Sequence, residues 1–237
     1  PNGRPSTTAS GGLAASLAAA GPVGGVNSCA SSSHAPLRLG SWNIQNFGDA
    51  KSARPAVMAA IGGITSRYDV LSVQELSQLP GSNPASCSID GITGPAACSL
   101  LSALNTAAAP RTFQLAASPR ECTVSSCTDA NFDEQYIVVF DSARLELVSS
   151  AMFPDPSGAY MRDPWAAHLR DLASGQEFAL LAIHTPPSDA EAEILAMGAV
   201  LEWAVSTRAL CDVETRVPSP SALLLLVSFL PSLPPCA

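Results

Sequence analysis

The chain has 237 residues, of which 47% are hydrophobic and 14% charged, and its formal net charge is −8 with a pI near 4.7. This length is enough for one domain with a substantial core and flanking segments. The acidic balance excludes the class of proteins that hold nucleic acid by charge alone, because such binding depends on Lys and Arg side chains that neutralise phosphates.

The first ordered elements are expected after a leader. Residues 1–35 are rich in Ala, Gly and Ser and have no hydrophobic period, which predicts a disordered arm. Alternating apolar and polar residues predict a strand over 37–44, and a second strand is predicted over 70–75. Between them Pro55 suits a first helical turn. Apolar residues at helical spacing follow it at Val57, Met58, Ile61 and Ile64.

The remaining predicted elements are two helices and a run of strands. The helices are expected over residues 96–108 and 189–205. The strands, each bounded by turn residues, are predicted over 112–117, 135–140, 145–149, 161–169 and 178–183. Helices that follow strands, and then several strands in succession, predict an α/β fold in which helices cover the outside of a mixed sheet system.

The 7 cysteines indicate disulfides in an oxidising compartment. Those in loops rich in Ser, Thr and Pro are Cys87, Cys98, Cys122 and Cys127. The odd number leaves at least one cysteine unpaired. No second Cys or His pair follows Cys122 and Cys127, so a local disulfide between them is preferred to half of a zinc site. The Ala-rich stretch 13–20 is interpreted as the remnant of a secretory signal, so we expect a secreted protein.

Four polar residues lie at the ends of the predicted strands. Asn43, Glu75 and His184 end or follow an apolar run, and Glu134 directly precedes one. Ligands usually bind at strand ends in sheets flanked by helices. A carboxylate and an amide oxygen suit Mg²⁺ or Ca²⁺, and an imidazole paired with a second carboxylate makes a general acid or base, so the four residues indicate metal-assisted phosphoryl chemistry. Taken singly, Glu75 is by default an exposed strand-end charge and Asn43 a turn residue, and His184 is equally a histidine that caps a turn.

Five segments carry a more specific pattern. They are Trp42-Asn-Ile-Gln-Asn-Phe-Gly48, Tyr68-Asp-Val-Leu-Ser-Val-Gln-Glu75, Glu134-Gln-Tyr-Ile-Val-Val-Phe140, Met161-Arg-Asp-Pro164 and Ile183-His-Thr-Pro-Pro-Ser-Asp-Ala-Glu-Ala-Glu-Ile194. In this order they closely resemble the deoxyribonuclease I family of the endonuclease/exonuclease/phosphatase superfamily.

The resemblance implies a fold, an activity and a set of partners. The fold is a four-layer α/β sandwich, in which two packed mixed sheets are flanked by helices. The activity is that of a divalent-metal-dependent endonuclease that hydrolyses DNA phosphodiester bonds. The implied cofactor is Mg²⁺, with Mn²⁺ as an alternative and Ca²⁺ in a structural role. DNA is the implied partner, and the protein is expected to be a monomer without a membrane span.

By residue-to-residue match, the resemblance also implies roles for individual side chains. Glu75 is the metal-binding carboxylate, and Asn43 is its neighbour around the ion. His184 is the catalytic histidine, which Glu134 orients through a ring N–H bond. Arg162 binds a backbone phosphate, for which its planar and permanently charged guanidinium is suited.

Three positions depart from the family pattern. Gln45 and Ser77 stand where well-known members place arginines that reach DNA. Phe132 stands where a DNA-stacking tyrosine is common, and it keeps the ring without the hydroxyl. Groove contacts are therefore expected to be weaker than in those members.

The later part of the family pattern is absent from the sequence. Neither its Gly-Asp-Phe-Asn motif nor its Ser-Asp-His motif occurs. We therefore expect a partial domain over 36–206, incomplete at its C-terminus, and a poorly ordered, non-matching Pro/Leu-rich tail over 207–237. Such a chain is expected to be nearly inactive and marginally folded, with an exposed apolar face or edge on the strands that end at Phe140 and Ile183. Three interpretations stay open: a deoxyribonuclease, another phosphoesterase of the superfamily, or a non-catalytic remnant.

Overall fold

The computed structural model describes residues 35–77, 87–120, 134–211 and 222–229, with residues 205, 207–211 and 222–229 described by their backbone alone. The predictions for the leader, for a Cys122–Cys127 disulfide and for Phe132 lie outside these residues. The elements in chain order are β1 (Leu39–Phe47), α1 (Asp49–Ser52), α2 (Pro55–Thr65), β2 (Val70–Leu76), α3 (Pro95–Ala108), β3 (Phe113–Ala117), β4 (Gln135–Asp141), β5 (Leu145–Met152), β6 (Trp165–Asp171), β7 (Glu177–Thr185), α4 (Ala190–Leu195), α5 (Met197–Cys211) and β8 (Ala222–Phe229).

The first sheet has the strand order β1-β2-β4-β3 in the described part of the chain. Strands β1 and β2 are parallel, whereas β4 is antiparallel to both of its neighbours. The carboxyl ends of β1 and β2 therefore lie at the same end of the sheet as the start of β4. Every residue of β2 and β4 is buried, which explains why both segments are nearly continuous apolar runs.

The second sheet has the strand order β5-β6-β7-β8 in the same part of the chain. Strands β5, β6 and β7 are antiparallel neighbours, and β8 is parallel to β7. Helices α4 and α5 connect β7 to β8, as a parallel pair requires a crossover connection. The start of β6 and the end of β7 consequently lie at one end of this sheet.

Three buried apolar clusters define the layers. The cluster between the sheets includes Val70, Tyr136, Phe140, Trp165, Leu169 and Leu180. Helices α2 and α3 cover the outer face of the first sheet through Met58, Ile61, Leu100 and Leu104. Helix α5 covers the outer face of the second sheet through Met197, Val200 and Ala204. This arrangement confirms the predicted four-layer α/β sandwich.

Two predicted elements differ from the structure. The strand predicted over 161–169 begins only at Trp165, because Pro164 has no N–H to contribute to a ladder. The single helix predicted over 189–205 is divided at Ala196 into α4 and α5. These two helices bury different kinds of side chain, since α4 makes a polar contact with the loop before β6 and α5 lies on an apolar sheet face. Hydrophobic spacing alone does not reveal that difference.

The C-terminal tail requires a further correction. Residues Ala222–Phe229 form β8, which pairs with β7, whereas the sequence predicts a poorly ordered tail. The prolines at 218, 220, 231, 234 and 235 all flank this stretch, so none of them removes an N–H from it. The predicted exposed face or edge on the strands that end at Phe140 and Ile183 is also wrong. In the described part of the chain β4 and β7 each lie between two other strands, and both residues are 0% exposed.

The described helices include none with the length and hydrophobicity to cross a membrane. Among the described residues, a disulfide joins Cys87, which lies before α3, to Cys98, which lies in the first turn of α3. The cysteines of this pair are 11 residues apart, so the bond closes a short loop at the start of that helix.

A buried carboxylate joins the two sheets at the end where β2 begins. Asp69 is 1% exposed and pairs with Arg38 at 3.3 Å, Arg111 at 2.7 Å and Arg144 at 2.9 Å. Arg144 precedes β5 in the second sheet, whereas Asp69 precedes β2 in the first. Burial alone would raise the pKa of Asp69, but hydrogen bonds from Arg38 and the charges of Arg144 and Arg38 outweigh it, so the pKa is lowered.

Replacing Asp69 with Asn should lower the free energy of unfolding by about 3 kcal/mol at neutral pH, because the arginines lose their buried partner. Glu202→Gln removes the same charge from an exposed position, and its effect should stay below about 0.5 kcal/mol. Because its pKa is lowered, the ionised Asp69 carboxylate stabilises the fold at pH values above the ordinary pKa of 3.8. This contribution is lost as the pH falls through the lowered pKa.

The stability of Asp69→Asn and that of the wild type should therefore converge in acid. Urea titrations at neutral and acidic pH measure both effects. Equal stability of the two proteins at neutral pH would contradict the assigned role of Asp69.

Candidate functional site

Five residues singled out by the sequence lie together at the opposite end of the sandwich. The first sheet contributes Asn43 in β1, Glu75 in β2 and Glu134 just before β4. The second sheet contributes Arg162 just before β6 and His184 near the end of β7. Strand direction places these positions at one end of each sheet, and side-chain contacts between the sheets bring the two sets together. Residues distant in sequence thus form one group of polar side chains.

The imidazole of His184 is held by a buried carboxylate. Its Nδ1 lies 2.5 Å from Glu134 Oε2, and its backbone N–H donates to the Tyr136 hydroxyl at 3.1 Å. An ionised carboxylate only accepts hydrogen bonds, so this contact places the ring proton on Nδ1. The other oxygen of Glu134, Oε1, lies 2.8 Å from the guanidinium of Arg162. Glu134 therefore connects side chains of the second sheet to the first.

The free ring nitrogen of His184 faces a second pair of residues. Its Nε2 lies 3.4 Å from Asn43 Nδ2 and 3.4 Å from Glu75 Oε1. Asn43 Nδ2 donates to the same Glu75 oxygen at 2.6 Å. With its proton on Nδ1, the imidazole presents an unprotonated nitrogen to this pair, as a general base requires.

Irregular backbone places Glu75 in this position. The pairing of β1 with β2 shifts register between Asn43 and Phe47, and Glu75 itself has a φ of 63°. Gln45 and Asn46 also have positive φ angles, of 56° and 48°. Left-handed backbone is rare for residues with a side chain and is concentrated at functional sites. The bulge turns the Glu75 carboxylate toward His184 rather than along the regular pleat.

Two residues that the sequence analysis missed support this bulge. The backbone N–H of Asn46 donates to Glu75 Oε2 at 2.8 Å, and the ammonium of Lys51 donates to the carbonyl of Gln45. A preference of asparagine for left-handed backbone is the only sequence signal for the first contact. No sequence pattern indicates the second.

This end of the sandwich buries more negative than positive charge. Glu75, Glu134 and Arg162 are 2%, 5% and 6% exposed, and His184 is 0% exposed. With a neutral imidazole, Glu75, Glu134 and Arg162 together carry one uncompensated negative charge, which is costly in a medium of low polarity. A bound cation or a proton on the imidazole supplies the balance. Asn43 is partly exposed, so the group opens to solvent along β1.

The donor atoms fit a Mg²⁺ site that depends on one carboxylate. In the described ranges, no group of three or more His, Cys, Asp and Glu side chains is placed to hold a metal ion. Mg²⁺ is commonly bound through one or two carboxylates, with waters and substrate phosphates as its other ligands. Glu75 offers such a carboxylate. The amide oxygen of Asn43 accepts the N–H of Gln45 at 2.9 Å and is therefore already engaged within the chain.

Arg162 is held in place by Glu134 and by its own neighbour. One guanidinium nitrogen pairs with Glu134, and another lies 3.7 Å from the sulfur of Met161. Its Nε has no hydrogen-bond partner among the residues that the structure describes. The phosphate contact that the sequence predicts for Arg162 would share the guanidinium with Glu134, and it stays a prediction.

Changing Glu134 to Gln should redistribute the ring proton of His184, because an amide both donates and accepts and no longer selects the Nδ1–H form. The chain has only 3 histidines, so imidazole ¹⁵N shifts resolve the form of each ring. We expect a dominant Nδ1–H form in the wild type and in the exposed control Glu202→Gln. Identical His184 shifts in Glu134→Gln and the wild type would contradict the pairing.

Solved structures of endonuclease/exonuclease/phosphatase proteins share the architecture. A family protein from Leptotrichia buccalis superposes with a TM-score of 0.51 at 14% identity, over 81% of this chain and 66% of its own. A family protein from Bacteroides thetaiotaomicron gives 0.46 at 12% identity, over 81% of this chain and 61% of its own. The human Nocturnin catalytic domain with bound sulfate gives 0.41 at 19% identity, over 63% of this chain and 50% of its own.

No protein-family model and no curated protein matches the sequence. The chain spans between 50% and 66% of the length of these three solved structures. At such identities the comparison establishes architecture alone. The chain has the fold of the endonuclease/exonuclease/phosphatase superfamily.

Proposed function

We propose that this domain hydrolyses phosphodiester bonds of DNA with a divalent metal ion, Mg²⁺ in the first instance and Mn²⁺ as an alternative. The observation that carries the proposal is the position of His184, whose ring nitrogens face Glu134 on one side and the Asn43–Glu75 pair on the other. A histidine fixed between a carboxylate and a candidate metal ligand is suited to move a proton beside a phosphate. The fold and the sequence resemblance support the same reaction class.

His184 would act as the general base. Glu134 accepts the Nδ1 proton and so orients the ring, while Nε2 accepts a proton from the attacking water. The positive charge that then develops on the imidazole is stabilised by Glu134, which is buried and 2.5 Å away. The Tyr136 hydroxyl fixes the backbone of His184 and limits movement of the ring.

Glu75 would hold the metal ion, because its carboxylate lies beside Nε2 and has both oxygens directed by the chain. A bound Mg²⁺ supplies Lewis-acid stabilisation of charge on the phosphate oxygens. Asn43 positions the Glu75 carboxylate through its 2.6 Å hydrogen bond. No residue is assigned to Ca²⁺ here, since the described residues contain no carboxylate cluster for it.

DNA is proposed as the substrate from the sequence resemblance, and the contacts to it would be weak. Gln45 is exposed on the bulge of β1 and Ser77 follows β2, so both flank the site without a positive charge. The Arg162 guanidinium is already paired with Glu134, so a phosphate would have to share it. The net charge of −8 gives no general attraction to DNA. Strong salt dependence of binding is therefore not expected.

A second candidate function is binding without hydrolysis. Burial favours this alternative, because His184 is 0% and Glu75 2% exposed, which leaves little surface for a phosphate. We therefore expect a slow rate in absolute terms, and the experiment below separates the two candidates.

Secretion is proposed as the setting in which this domain works. The Cys87–Cys98 disulfide supports it, because structural disulfides persist mainly in oxidising compartments.

The Glu75→Gln variant tests the proposed metal site. It keeps the size of the side chain and removes the charge, so Mn²⁺ binding measured by electron paramagnetic resonance should weaken at least tenfold. Mg²⁺-dependent hydrolysis of an activated phosphodiester and of duplex DNA should fall by at least about 100-fold. Glu202→Gln, an exposed change of the same charge, is the matched control and should leave both measurements unchanged.

Each outcome favours one candidate. Metal binding and hydrolysis that both depend on Glu75 support the phosphodiesterase. Metal binding through Glu75 without any hydrolysis supports the binding alternative. Metal affinity and hydrolysis that are equal in the wild type and Glu75→Gln would remove Glu75 from the site.

A further inference from the structure

A buried glutamate on α4 has no role in the chemistry described above. Glu193 is 0% exposed, and its Oε1 accepts the backbone N–H of Met161 at 3.0 Å. Its other oxygen, Oε2, has no hydrogen-bond partner among the described residues. Burying a carboxyl group is costly, so a glutamate is expected at such a position only where its contact serves a purpose. The residue that follows Met161 is Arg162.

We propose that Glu193 is a positioning residue that fixes the Met161–Arg162 backbone and so aligns the Arg162 guanidinium with Glu134. This inference rests on the proposed function, in which Glu134 orients the catalytic histidine. It assigns to α4 the task of supporting the site from the outer layer of the second sheet.

The loop that carries Arg162 is held by two carboxyl groups in succession. Asp155 Oδ2 accepts the N–H of Tyr160 at 2.9 Å, and Glu193 accepts the next N–H, that of Met161. The loop enters β6 through Pro164, whose carbonyl accepts the backbone N–H of Phe153 at 2.8 Å but which has no N–H of its own to donate to the ladder. Without Glu193, the hydrogen bond that holds the residue directly before Arg162 would be lost.

The guanidinium depends on such a restraint. Arg162 is 6% exposed and its Nε makes no hydrogen bond within the described residues, so its direction is set mainly by the pairing with Glu134 and by its own backbone. A long side chain loses considerable rotamer entropy when it is fixed. A backbone that is already positioned lowers the cost of aligning it, as preorganised sites require.

The chemistry of Glu193 defines a conservative replacement. Burial raises the pKa of its carboxyl group, and the nearby charge of Asp189 acts in the same direction, against the Met161 hydrogen bond and the charges of Arg162 and His184. A glutamine offers an amide oxygen of the same reach and no charge. Glu193→Gln should therefore keep the contact with Met161, whereas Glu193→Ala removes it.

The direct test is hydrogen exchange at the Met161 amide, which requires no turnover. Glu193→Ala should speed this exchange by roughly tenfold, the effect expected for loss of one hydrogen bond. Glu193→Gln and the control Glu191→Ala, an exposed glutamate on the same helix, should stay within about threefold of the wild type. Should Glu193→Ala fail to fold, Glu193→Asp replaces it, because it withdraws the carboxyl by one methylene. The same acceleration is then expected.

The kinetic test uses Mg²⁺ and an activated phosphodiester on the full chain. Glu193→Ala should lower kcat by roughly tenfold with KM within about twofold, because Glu193 acts through Arg162 and Glu134 rather than on the substrate. Glu193→Gln should restore kcat. A kcat in Glu193→Gln as low as that of Glu193→Ala would overturn the proposal.

The two measurements separate the failure of this inference from that of the proposed function. A wild-type chain without any hydrolysis would contradict the phosphodiesterase, while the exchange result would still decide the role of Glu193. Unchanged Met161 exchange in the variant that removes or withdraws the carboxyl would overturn the inference, whatever the activity.

Discussion

One buried carboxylate, that of Glu134, connects the two halves of the molecule at the candidate site. It lies 2.5 Å from the imidazole of His184 and 2.8 Å from the guanidinium of Arg162, both of which belong to the second sheet, whereas Glu134 leads into the first. A single charged group that is 5% exposed thus meets its electrostatic requirements only when the sheets are packed face to face. Removing one partner of such a group leaves the others unpaired in a medium of low polarity. The site and the packing of the sandwich therefore depend on each other.

The opposite end of the sandwich is built on the same principle. There Asp69 of the first sheet pairs with Arg144, which leads into the second, and with two further arginines. An apolar core lies between these two ends, and the charged groups join the sheets on either side of it. Asp69 completes a structural cluster in which positive charge predominates. The group around Glu134 is short of positive charge, and it is this deficit that makes it a candidate site for a cation.

Much of the fold, and the position of several candidate site residues at strand ends, could be predicted from local patterns. Glu75 and His184 end apolar runs, so their position at strand ends follows from periodicity, whereas their proximity depends on the packing of two different sheets. The positive φ of Glu75 could not be predicted, because it arises from the register shift of β1 against β2 and of β2 against β4.

Strand β8 was missed because flanking prolines dominate the local composition, whereas the paired stretch contains none. The partnership of Arg162 with Glu134 depends on sheet packing, which no local pattern encodes. The phosphate contact of Arg162 is implied by the family resemblance and stays a prediction.

The central claim is that Glu134 couples the two sheets by pairing with side chains of the second. A double-mutant cycle on Glu134→Gln and Arg162→Met, read as the free energy of unfolding from urea titrations, tests it most directly. Residues in one buried network are expected to show an interaction energy of at least about 1.5 kcal/mol, since the second change costs little once the pair is broken. Effects of the two changes that add to within about 0.5 kcal/mol would contradict the claim.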